Sequence, residues 1–224
     1  MINLKNYIIE SIFDIEDNID NVNESIKDQI NQFLNDNFKN ASNCIISEKP
    51  NKDGKFEVLS KGNIEVKNKL ITSLTNGLFI WTNIKGNFIC PDCNSIVSLK
   101  GSPEKVEGTF SCISCSSLTS LEGAPKEVGG DFYCIYCDSL KFLKGAPKKV
   151  GRDFDCFNCN SLKSLEGAPK EVRGDFSCFN CNSLTSLEGA PKDVGGDFYC
   201  RNCKGEFIEE DVKKVSNVKG IIFL

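Results

Sequence analysis

From residue 88 onward the chain repeats with a period of 22, and this register limits the possible folds more than any other feature. Phe88, Phe110, Phe132, Phe154, Phe176 and Phe198 open the units. A C-x-x-C pair follows each, from Cys90 and Cys93 through to Cys200 and Cys203. Ile96, Leu118, Leu140, Leu162 and Leu184 come next, then Leu99, Leu121, Leu143, Leu165 and Leu187. Five units close with Gly-Ala-Pro or Gly-Ser-Pro and a final valine, from Val106 to Val194. Phe and the first Cys stand at i and i+2, the spacing of one face of a strand. The Gly and Pro that follow forbid a long helix on the return path. Each unit is therefore expected to be a short strand, a turn, and an extended or 3₁₀ return, stacked on copies of itself as a solenoid.

The positions match a known pattern. In L-x-x-L-x-L-x-x-N/C, Phe132 and Cys134 take the second and third apolar places and Cys137 the Asn/Cys place, with Leu140 beyond it. Over about residues 64–207 the chain resembles the leucine-rich repeat family, with Phe and Cys where Leu is usual. The opening MINLKNYIIESIFDIEDNID, followed by Gly-Ala-Pro repeats, also resembles proteins of bacteriophages and gut bacteria. The resemblance implies an α+β solenoid over residues 63–207, with a helical N-terminal cap over 1–62 and a C-terminal cap over 208–224.

Capped ends are needed because a terminal repeat cannot bury its own open face. Ile8, Ile12, Ile15, Ile19, Val22, Ile26, Ile30 and Phe33 recur at steps of three and four, predicting one helix, or two broken near Asp17–Asn23. Phe56 and Val58, then Ile64 and Val66, alternate on either side of SKGN as a hairpin would. FIEEDVKKVS predicts a short helix with Phe207, Val212 and Val215 on one side, and GIIFL a final strand.

Composition narrows the function. A net charge of -4 with no basic run argues against nucleic acid. Acidic residues Glu10 and Asp14 interrupt the N-terminus before a signal-peptide stretch forms, and no segment is long and apolar enough for a membrane span. A cytoplasmic protein is expected. Histidine is absent, which excludes Ser-His, Cys-His and His-metal arrangements.

Thirteen cysteines demand an explanation. With both members of each pair pointing inward, they are best read as a packing ladder, because free Cys is among the most buried residue types. The alternatives are a zinc site built from two C-x-x-C pairs one repeat apart and thioredoxin-like redox chemistry, which needs such a pair at a helix N-terminus. The ladder reading assigns no metal and no cofactor.

In the resemblance, residues between the inward positions line a concave face. Ile113, Ile135, Phe157 and Phe179 form an apolar stripe there, flanked by Tyr133, Tyr136 and Tyr199. Asp131, Asp153 and Asp175 supply an acidic rim. A soluble protein rarely exposes such a patch without a use for it, and aromatic side chains anchor interfaces. The expectation is a non-catalytic scaffold binding a protein partner, with self-association a further possibility. The alternative is a zinc-binding structural or regulatory protein. Bacterial ubiquitin ligases with similar repeats carry a separate catalytic domain, for which the stretch after these repeats leaves no room.

Overall fold

A computed structural model describes the backbone from Leu4 to Leu224 and the side chains from Asn18 onward. The chain begins with one unbroken helix, α1 (Leu4–Asn37). It continues through β1 (Phe38–Lys39), a 3₁₀ turn at Ala41–Asn43 and β2 (Cys44–Ile46). Then come β3 (Phe56–Ser60), β4 (Ile64–Val66), β5 (Phe79–Ile84) and β6 (Phe88–Ile89). The repeats add strands in pairs. These are β7 (Lys105–Val106) with β8 (Phe110–Ser111), β9 (Glu127–Val128) with β10 (Phe132–Tyr133), and β11 (Lys149–Val150) with β12 (Phe154–Asp155). They are followed by β13 (Glu171–Val172) with β14 (Phe176–Ser177) and β15 (Asp193–Val194) with β16 (Phe198–Tyr199). Helix α2 (Glu209–Val215), β17 (Asn217–Val218) and β18 (Ile222–Phe223) complete the chain.

The result is a β-solenoid of about eight coils. β1 and the even-numbered strands from β4 to β18 form one nine-stranded sheet, and β2 and the odd-numbered strands from β3 to β17 form another. Within the repeats all pairing is parallel and equivalent residues face one another, as in Phe132 with Phe154 and Phe154 with Phe176. The return path therefore carries a second sheet, built on the valines that close each unit.

Repetition explains the core. The six repeat phenylalanines are fully buried. From Phe88 to Phe176 their rings stack nearly parallel, with centroids 5.2–5.7 Å apart. The repeat leucines and valines are buried beside them. At the N-terminal end, Trp81 packs edge-on against Phe38, Phe79 and Phe88 and donates its indole N–H to the Leu74 carbonyl at 2.9 Å.

The ends differ from expectation in three ways. Strands β3 and β4 are not a hairpin: they lie in different sheets, pairing with β5 and β6, so SKGN is a corner and the coils begin before residue 63. The antiparallel contacts are instead β1 with β4 and β2 with β3. Parallel pairing also runs past residue 207, because β17 and β18 continue both sheets after α2. Helix α1 packs through Ile30 and Leu34, which are buried, with Ile26 and Phe33 partly so, while Ile19 and Val22 are exposed. The side chains of Ile8, Ile12 and Ile15 lie outside the described residues. Among the described residues, no helix is long and apolar enough to cross a membrane.

Candidate functional site

Each even-numbered strand from β6 to β16 turns its phenylalanine inward and the next residue toward the other face, and the turn inside C-x-x-C then presents two more side chains. These positions carry the expected site. Phe157 and Phe179 are half-buried and stack at 5.3 Å, with Tyr136 edge-on to Phe157 at 5.4 Å. Ile113 and Ile135 are half-buried in the same column, and Arg201, which ends it, sends Nε to the Leu224 carbonyl at 2.8 Å. Tyr133 and Tyr199 stand on the strands and bracket a shallow cavity of about 360 Å³. Asp153, Asp155, Asp175, Ser177, Phe157 and Phe179 line it between them. Of the expected residues, Ile113, Ile135, Tyr136 and Asp131 are not part of that lining. Asp155 and Ser177 are part of it. Their small side chains leave the gap between the two tyrosines, a signal present in the column Tyr133, Asp155, Ser177, Tyr199.

Tyr136 occupies an unusual backbone position. Its column, Asp92, Ser114, Tyr136, Asn158, Asn180 and Asn202, has φ between 54° and 58° throughout. That left-handed region suits Asn and Asp but strains a bulky side chain. Asn180 donates its side-chain amide to Asn158 one coil earlier. Tyr136 gives up this kind of bond and is 46% exposed, so its ring is not held there by the core.

The aspartates do more than form a rim. Asp153, Asp175 and Asp197 each donate their backbone N–H to the carboxylate of the aspartate one coil earlier, at 3.2, 2.9 and 2.8 Å. Asn63 and Asn87 play the same part upstream, accepting from Asn87 N and Thr109 N. One carboxylate oxygen per coil is thus committed to the stack. Asp131 is 8% exposed and pairs with Arg152 at 3.6 Å, so it belongs to the scaffold more than to the surface.

Inside the cavity, burial pushes the Asp155 carboxyl above the ordinary carboxylate range, opposed by bonds from Phe157 N–H and the Ser177 hydroxyl. Burial and the neighbouring Asp131 push the Tyr133 phenol up to about 12. A carboxyl with a raised folded pKa holds its proton more tightly in the folded state. Its stabilising effect is full below the unfolded value and is lost as pH rises through the folded one. Thermal unfolding of Asp155→Asn should show a smaller loss of stability than wild type as pH rises through that window. Asn can still accept the Phe157 N–H bond, so equal pH profiles for the two proteins would contradict the assignment.

All thirteen cysteines are free, and the repeat pairs point into the core from Cys90 to Cys200, with Cys203 half-buried. From Cys115 onward the second thiol of each pair donates to the carbonyl of the first cysteine one coil earlier, as in Cys137 to Cys112 and Cys159 to Cys134, at 3.2 and 3.0 Å. Burial pushes the Cys178 thiol well up and the Cys200 thiol to about 12. The pairs lie on strand ends and turns, not at a helix N-terminus as thioredoxin-like chemistry requires. Two neighbouring pairs do not bring four sulfurs together: Cys90, Cys93 and Cys115 converge, but Cys112 is not among them.

No family model matches this chain, and no curated protein or solved structure does.

Proposed function

We propose that the chain is a non-catalytic, protein-binding solenoid of the leucine-rich-repeat type, taking its partner on the outer face of the even-numbered sheet. The observation that carries this reading is the stacked pair Phe157–Phe179 on the outside of the coils, where the core has no claim on either ring. Tyr133, Tyr136 and Tyr199 around them give the aromatic density typical of interface anchors. Asp153, Asp155 and Asp175 make the same face acidic, favouring a protein over nucleic acid. Unbridged thiols throughout favour a reducing compartment such as the cytoplasm. The leucine-rich-repeat assignment rests on the positions of Phe132, Cys134, Cys137 and Leu140, all buried as that pattern requires.

The test compares surface variants in capture of a partner from lysate of the source organism. Phe157→Ser with Phe179→Ser should abolish capture, each ring being worth about 2 kcal/mol if central, while Lys170→Ser with Glu188→Ser should not. Tyr136→Asn should do two things together: weaken capture, and stabilise the free chain by about 0.5–1 kcal/mol through relief of backbone strain. Capture undiminished by the Phe pair would refute the face assignment. A change of oligomeric state confined to the Phe pair would identify the partner as a second copy.

A further inference from the structure

The cysteine ladder is regular except at its start. From the second repeat on, the second thiol of each pair reaches the carbonyl of the first cysteine one coil earlier, beginning with Cys115 to Cys90 at 3.2 Å. Cys93 has no such acceptor. With Ile64 opposite Phe88, the preceding coil places Val66 where Cys90 stands, and Asn68, whose carbonyl accepts from Ile71 N–H as that of Cys93 does from Ile96 N–H, where Cys93 stands. The Cys93 thiol falls back on the Pro91 carbonyl at 3.5 Å. That same carbonyl accepts from the Lys69 ammonium at 2.6 Å, which sets a fixed positive charge beside the first rung. There, Cys90, Cys93 and Cys115 gather their sulfurs within 4.8 Å of one another, the one such trio among the described residues. All three side chains are fully buried.

We propose that Cys90, Cys93 and Cys115 bind a single Cu(I) ion as three thiolates, with Lys69 as the counter-charge. A triangle with sides of 4.8 Å has its centre about 2.8 Å from each corner. Inward movements of about 0.5 Å or less therefore reach a metal–sulfur distance near 2.3 Å. Binding releases three thiol protons to solvent and leaves a net charge of minus two on the copper–thiolate group, which Lys69 partly offsets. Zinc fits less well, because structural zinc closes a tetrahedron with a fourth ligand. The nearest pair-mate, Cys112, donates instead to the Tyr133 carbonyl at 3.4 Å. Soft thiolate donors in a dry site select Cu(I).

The experiment is an anaerobic titration of the reduced full chain with Cu(I), followed by thiolate-to-copper charge-transfer absorption and by metal analysis after desalting. One equivalent should bind. Cys93→Ser and Cys115→Ser should each abolish it, whereas Cys181→Ser, equally buried farther along the ladder, should retain it. Lys69→Gln removes no ligand and should weaken binding about tenfold, the size of an outer-shell effect. Near-ultraviolet circular dichroism checks that each variant is folded. Absence of a one-equivalent endpoint would overturn the proposal, as would equal loss on Cys181→Ser or preferential retention of Zn(II).

Discussion

Phe154→Ala should destabilise the protein by about 3–5 kcal/mol, while Phe157→Ala, three residues on, should cost under about 1 kcal/mol. The two side chains are chemically identical and differ only in register. Phe154 is fully buried, with neighbouring rings 5.2 and 5.5 Å away on either side, and parallel coils fixed by backbone pairing cannot close over the void. Phe157 stands in the turn between two buried cysteines and is half-exposed. Denaturant unfolding of the two variants decides the matter. Similar losses at both positions would mean that Phe157 belongs to the core, and the proposed interface would go with it.

Gly167→Ala should be comparably severe, above about 3 kcal/mol, and its companion Gly77→Ala mild, at about 1 kcal/mol. Both glycines have left-handed backbone, with φ of 87° and 86°, so both substitutions incur the same dihedral strain. They differ in their surroundings. A Cβ at Gly167 would stand 2.4 Å from the Lys144 Cα and 2.5 Å from its backbone N, in the preceding coil. At Gly77 nothing lies within 4 Å. The difference between the two losses isolates the contact between coils from the dihedral cost. Equal losses would show that the coils can part at this corner without penalty.

The period made the core legible, because a repeat of fixed length stacks like on like: Phe, both Cys, both Leu and Val all lie where the spacing puts them. The second sheet was hard to see, since two residues such as Lys149–Val150 are too short to show an alternation. The SKGN corner was misread although its signal was there. Ser60 to Ile64 has the same spacing of four as Val128 to Phe132, the corner between the two sheets in every repeat. The aspartate column was half-read. Spacing placed Asp153 and Asp175 before the strand correctly, but could not say that one oxygen of each turns onto the next coil. Asn63 and Asn87 in the same place were the clue, since Asn and Asp share the short side-chain acceptor that such a bond needs. Two neighbouring C-x-x-C pairs were legible as a candidate metal site, but not that three of their four sulfurs converge, because Cys112 turns instead to the Tyr133 carbonyl.

The cavity between Tyr133 and Tyr199 crosses four coils, roughly 14 Å at the usual strand spacing. Coils of a solenoid otherwise touch only their immediate neighbours, so cohesion passes along the stack one joint at a time. A partner seated in that cavity acts as a splint. It ties the β10 coil to the β16 coil directly, so no single joint between them can open without also breaking the grip on the ligand. Hydrogen exchange across residues 132–199 should therefore slow as one block when the partner binds, while the coils on either side keep their own rates.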